Sequence, residues 1–136
     1  MELRKIDYFA LNARQKENYN FQKISSVLAD YGLITIRLSD DWNGADFLAL
    51  DNDGRVLRVQ LKSRLSFAKK YIGKEIWISF PHGADWYLYN HDDLLDVMFE
   101  NTSLSMTETW HIKGEYSFKH LGKSVSGYLE KYCITR

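Results

Sequence analysis

The chain has 136 residues, 45% of them hydrophobic and 15% aromatic, and its 18 basic and 18 acidic side chains cancel to zero formal charge. This is enough apolar material for one domain over residues 1–136, burying about two thirds of its unfolded surface without disulfide or structural-metal support. Zero net charge excludes a protein that coats nucleic acid by bulk electrostatics, the lone Cys133 excludes an internal disulfide or a multi-cysteine zinc site, and no window approaches the roughly 18 apolar residues of a membrane span, so a cytoplasmic protein without membrane contact is expected.

In chain order, Phe21, Ile24, Val27, Leu28 and Tyr31 recur at three- and four-residue steps and Gly32 follows as a stop, which predicts a helix over 13–31. Glu17 lies one turn before Phe21 on the same face. Residues 33–38 (LITIRL) are a strand by their β-branched content, and 39–44 a polar loop. The next stretch, ADFLAL-DNDG-RVLRVQLK, is a hairpin closed by Asn52-Asp53-Gly54 with glycine in the left-handed position. That turn sets Asp51 against Arg55, Ala49 against Leu57, Phe47 against Val59 and Ala45 against Leu61, which makes one side of the ribbon wholly apolar. The other side carries Asp46 across from Gln60, with Lys62 and Arg58 one step to either side. A loop one residue longer or shorter would set Asp46 against an apolar residue and expose part of the core face.

Downstream, 63–73 is irregular or a short helix, 75–80 (EIWISF) and 86–89 are strands with a turn at Gly83-Ala84-Asp85 between them, and 91–100 is a helix with Asp92 and Asp93 at its positive end. Residues 101–118 are loop with a short strand around Trp110, and 124–132 form a closing helix. The sum is α+β, a mainly antiparallel sheet with helices packed on it. Trp77, Trp86, Tyr87 and Tyr89 fall on strands, where packing is their default role. His82, His91, His111 and His120 have no metal-binding spacing and take rim or capping positions. The Tyr71-Ile72-Gly73 and Gly122-Lys123-Ser124 tripeptides are fragments of nuclease and phosphate-loop motifs whose other halves are missing, so neither carries a site.

Charge is uneven beneath the zero total. Residues 55–74 hold seven basic side chains and no acidic one, between acidic flanks at 40–53 and 85–100. A basic strip beside carboxylates suits metal-assisted chemistry on a polyanion, with solvated faces as the plainer alternative.

Asp46 before a hairpin, then Gln60-Leu61-Lys62 after it, resembles the PD-(D/E)XK nuclease superfamily in its QxK form, as in Mrr-like restriction enzymes; the small size and the DDWNGAD stretch also resemble its intron-encoded homing endonucleases. The resemblance covers about residues 13–62. It implies a restriction-endonuclease-like core, a mainly antiparallel mixed sheet flanked by helices, with Glu17 offered to the site from the opening helix. It also implies a Mg²⁺ (or Mn²⁺)-dependent endonuclease acting on double-stranded DNA. Phosphodiester hydrolysis needs an activated water and charge stabilisation at phosphorus. Asp46 is expected as the charged metal ligand, Gln60 through its side-chain carbonyl and Leu61 through its backbone carbonyl as further ligands, and Lys62 to orient or deprotonate the water or to stabilise charge as a cation. Arg58, Arg64, Lys69 and Lys70 are candidates for phosphate contacts. A domain this small covers little DNA, so double-strand cutting calls for a homo-oligomer, a dimer or tetramer. The plain alternatives are a cross-strand ion pair between Asp46 and Lys62, an exposed Glu17, a loop-capping Asp41, and a decayed nuclease-fold module that binds DNA or an acidic protein partner.

Overall fold

A computed structural model describes residues 1–136. Helix α1 (Ala13–Ala29) opens on a capping box, in which the Asn12 side chain accepts from the Gln15 N–H and the Gln15 side chain accepts from the Asn12 N–H, both at 2.9 Å. It ends at the Asp30 cap, and Gly32, at the left-handed φ of 76°, turns the chain away just beyond it. Its buried stripe, Asn20, Ile24 and Leu28, faces the sheet.

Strand β1 (Ile34–Trp42) runs four residues past its expected end. The polar loop predicted over 39–44 is instead strand plus a two-residue turn at Asn43-Gly44, both at positive φ (51° and 87°). Asn-Gly in that conformation matches the right-handed twist of the flanking strands, and this local signal outweighs the polarity of Ser39, Asp40 and Asp41. Strand β2 (Ala45–Leu50) pairs antiparallel with β3 (Val56–Leu61) in the expected register, Phe47 on Val59 and Ala49 on Leu57. At the turn the Asp51 carboxylate accepts the N–H groups of Asp53 and Arg55 at 3.0 and 2.8 Å, and Gly54 takes φ 83°.

From β3 the chain crosses to β5 (Ile76–His82), which lies parallel to β3, and returns antiparallel as β6 (Asp85–Asn90) around Gly83. The main sheet is thus mixed, in the order β1-β2-β3-β5-β6, with three antiparallel pairs and one parallel. The crossover carries no long helix. It holds β4 (Ser66–Ala68), paired with the short β7 (Glu115–Ser117), and a single helical turn at Lys69–Tyr71. Then follow α2 (His91–Asn101), α3 (Glu108–Lys113) and α4 (Lys123–Leu129). Helix α3 corrects the loop-and-strand expectation for 101–118: Trp110 sits buried on a helix whose N-terminus is capped by Thr107 and whose end is Gly114 at φ 69°.

The architecture is α+β, a mixed five-stranded sheet flanked by helices, consistent with a restriction-endonuclease-like core. Two apolar clusters lie on opposite faces of the sheet. On one, Ile24 and Leu28 of α1 pack on Phe47, Ala49, Val59 and Trp86. On the other, Ile76, Ile78, Phe80, Tyr87 and Tyr89 meet α2, α3 and α4. No helix is long and apolar enough to cross a membrane.

His91 departs from the rim position expected of the histidines, because it is fully buried at the start of α2. Its Nε2 accepts the Ala68 N–H at 3.1 Å, so Nδ1 carries the proton and donates to Asp92 at 2.8 Å. Burial holds its pKa below the usual 6.5, against the opposing pull of Asp92. A neutral native imidazole means that the unfolded chain binds the extra proton first, so stability falls as pH drops below 6.5. Urea unfolding on either side of that pH should show this decline, and His91→Leu should flatten it while costing about 1–3 kcal/mol through the orphaned Ala68 N–H.

Candidate active site

The candidate site forms where β2 and β3 part. Their ladder runs from Leu50 on Val56 to Phe47 on Val59 and stops, so Asp46 and Gln60 are not a ladder pair as the sequence register extrapolates. At the next position the Asp46 carboxylate replaces a main-chain acceptor: Oδ2 accepts the Leu61 N–H at 2.8 Å, and Oδ1 accepts nothing. Alternation along the strands puts Asp46, Gln60 and Arg58 on the face away from the Phe47–Val59 contact, as expected.

Asp46 is only partly exposed, and burial raises its pKa above the ordinary carboxylate value. The Leu61 N–H and Lys62 pull it down, while Glu17 and Asp41 push it up. Gln60 is half-buried, and its Oε1 is the one buried side-chain polar atom in the protein with no hydrogen-bond partner. Such an atom costs about 1–3 kcal/mol and calls for a partner. Lys62 is anchored through its backbone N–H to the Ser79 carbonyl at 2.9 Å, while its Nζ lies 5.7 Å from the centre of the Tyr71 ring. It takes part in none of the seven ion pairs, so the cross-strand pair with Asp46 does not form.

Glu17 reaches the same place from α1. With Asp40, Asp41 and Asp46 it lines a cleft of about 750 Å³. Its carboxylate is exposed and held by Arg37 at 3.2 Å, and Arg37 also bonds Asn18. The basic candidates are divided. Arg58 is an internal brace, donating to the Lys74 carbonyl at 2.6 Å and to Glu75 at 3.4 Å. Arg64, Lys69 and Lys70 are exposed, with Lys69 over Trp110 and Lys70 over Tyr71.

Tyr71 is a site residue that the sequence left unassigned. The crossover returns it to the Asn43-Gly44 turn, so closely that a Cβ on Gly44 would lie 3.2 Å from its ring. Its hydroxyl is pushed up to about 12 by burial and then by Asp46, Asp41 and Glu115. The only sequence trace was the Tyr-Ile-Gly fragment, which pointed to a different motif.

No three His, Cys, Asp or Glu side chains form a metal-binding group. An ion at this site would draw on mixed oxygen donors: Asp46 Oδ1 and Gln60 Oε1 are free, and both suit a hard divalent cation. Compared with family models, with curated proteins and with solved structures, the chain matches none.

The raised pKa of Asp46 means that its ionised form costs the folded state stability at neutral pH, a cost relieved as pH falls towards 3.8. Asn at this position keeps an oxygen for the Leu61 N–H and carries no charge. Asp46→Asn is therefore expected to raise stability by about 0.5–1 kcal/mol, discounted for partial exposure, with the gain shrinking in acid. Chemical denaturation at neutral and acid pH checks the sign.

Proposed function

We propose that the chain is a Mg²⁺- or Mn²⁺-dependent endonuclease that hydrolyses DNA phosphodiester bonds, built on the PD-(D/E)XK pattern that its sequence resembles. The observation that carries this is Gln60 Oε1, buried without a partner on the same side of the hairpin as the half-desolvated Asp46. A protein shaped only for stability has no use for either feature, whereas a buried oxygen without a partner, on the same side of the hairpin as a carboxylate that lines a cleft, suits a cation.

Asp46, Gln60 Oε1 and the Leu61 carbonyl would hold the ion, which when bound supplies Lewis acidity at the phosphate and a water acidic enough to react near neutral pH. The protein's own groups do the rest. The Leu61 N–H fixes the Asp46 carboxylate, so it loses little freedom on binding a ligand. Lys62 Nζ, with no carboxylate partner, is free to donate to the attacking water or to a phosphate oxygen. Glu17, steered by Arg37, supports the site from α1. The homo-oligomer that double-strand cutting calls for would use the apolar residues left uncovered on β1 and β3, where Ile34, Ile36 and Val56 are each about half exposed or more.

Incubation of supercoiled plasmid with the protein and Mg²⁺ or Mn²⁺ should yield nicked or linear DNA. Asp46→Ala and Lys62→Ala should each lower the rate by about 100-fold or more. A preparation that neither cuts nor binds metal at millimolar concentration would move the assignment to a non-catalytic module of the same fold.

Gln60→Glu adds the negative charge that most superfamily members carry at this position. It is expected to tighten Mg²⁺ binding by about tenfold, read by calorimetry, and to lower the metal concentration needed for half-maximal cutting. Gln60→Leu should instead abolish metal binding while raising stability, because the orphaned oxygen goes with it.

A further inference from the structure

A second cleft, of about 890 Å³, adjoins the candidate active site. Leu61 at the end of β3 and Lys62 just beyond it line the cleft on one side, together with the Gly83-Ala84 turn and the flanking Pro81 of β5 and Trp86 of β6. The other wall is α1 with the N-terminal turn Tyr8–Ala10 folded over it. A polar contact holds that turn: Asn20, buried in α1, donates its side-chain amide to the Tyr8 hydroxyl at 2.9 Å.

The residues gathered there are of two kinds. Tyr8 meets Tyr19 at 5.2 Å and Phe9 at 5.5 Å between ring centres, and Phe9 is 84% exposed. Lys16 Nζ lies 5.5 Å over the Tyr8 ring and Lys23 Nζ 5.3 Å over the Tyr19 ring. Lys16, Tyr19, Asn20 and Lys23 follow the three- and four-residue steps of one helix face, so the sequence of α1 builds the wall directly. With Lys62, three lysines line the cleft against one acidic residue, Glu17, whose carboxylate Arg37 already holds.

We propose that this cleft binds unpaired DNA, a single strand leading to the phosphate at Lys62, with bases stacked on Phe9 and Tyr8 and phosphates on Lys16 and Lys23. Exposed rings interleaved with cations are how proteins hold single strands, because an unpaired base has an open face to stack. Bases inside a duplex have both faces covered and give an exposed Phe9 nothing to meet. The cleft volume lies in the range that accepts a small ligand, about 300–1,000 Å³, which suits a nucleotide of an extended strand and not a duplex. The preferred substrate is then DNA with an unpaired segment, such as a fork, flap or bubble. Only the hydrolytic end of the cleft rests on the nuclease assignment; the binding surface does not.

Fluorescence anisotropy of the full chain in EDTA, with labelled oligothymidine or a blunt duplex of equal length, separates the two. Oligothymidine should bind at least about tenfold more tightly than the duplex, and Phe9→Ala should weaken it by about tenfold while leaving the duplex unchanged. Lys23→Ala should lower the salt slope of single-strand binding by about 0.7. Phe9 and Lys23 are both exposed, so neither change threatens the fold. Equal or tighter duplex binding, or a Phe9→Ala variant that binds oligothymidine normally, would overturn the inference. Plasmid cutting alongside such a result leaves the nuclease assignment standing without it. Phe9-dependent strand binding with neither cutting nor binding of Mg²⁺ or Mn²⁺ at millimolar concentration removes the nuclease assignment and keeps the cleft.

Discussion

The hydrogen bond from the Leu61 N–H to the Asp46 carboxylate is the point on which the site depends. Two antiparallel strands whose ladder continued would pair their main chains here and leave the side chains to solvent. Because the strands part after Phe47 and Val59, a side chain takes up the N–H, and the carboxylate is drawn into a partly desolvated position. One oxygen is spent on this anchor and the other is left free. The raised pKa of Asp46 is therefore a consequence of how the hairpin ends.

Two features outside the hairpin complete the arrangement. The parallel pairing of β3 with β5 ties the Lys62 N–H to Ser79 and brings the β5–β6 turn alongside the end of β3, which makes a cleft of what would be an edge. A parallel pair also requires a crossover. That crossover, short and without a long helix, returns Tyr71 to the Asn43-Gly44 turn and lays its ring under Lys62. His91 supports it from beneath by accepting the Ala68 N–H one residue before the helical turn that bears Tyr71. The large apolar cluster under β5 and β6 and the smaller one under α1 hold this frame from both faces of the sheet.

Local signals were legible in the sequence and contacts made by the crossover were not. The register of β2 on β3 follows from Gly54 and from strict alternation at Phe47, Ala49, Leu57 and Val59, because one slipped residue exposes the core face. The presence of α1 followed from its apolar period, which begins only at Phe21, while its start is set by the Asn12–Gln15 capping box. Asn43-Gly44 is as strong a turn signal as any in the chain, yet three polar neighbours hid the strand before it. Helix α3 is too short to show a period, and only its Thr107 cap and Gly114 stop mark it. Asp46 and Lys62 could be named as candidates from their spacing about the hairpin, and Glu17 only from the resemblance. The orphaned Gln60 oxygen, the Glu17–Arg37 pair and the place of Tyr71 depend on packing between segments far apart in sequence.

The two clefts meet at Glu17 and differ in charge. One carries Asp40, Asp41 and Asp46 against Arg14 and Arg37, and the other carries Lys16, Lys23 and Lys62 with no acidic residue but Glu17. A cation is favoured on the first side and a polyanion on the second, so a strand bound along the lysines would present a phosphate at the boundary where Asp46 and Lys62 face it. Glu17 stands on that boundary, and a free carboxylate there would repel the strand. Its pairing with Arg37 sets a positive charge against that repulsion, although its carboxylate still pushes the Asp46 pKa up. A strand bound there would follow a path between the aromatic rings at Tyr8 and Phe9 and Lys62, a path laid out by the face of α1 that carries Lys16 and Lys23.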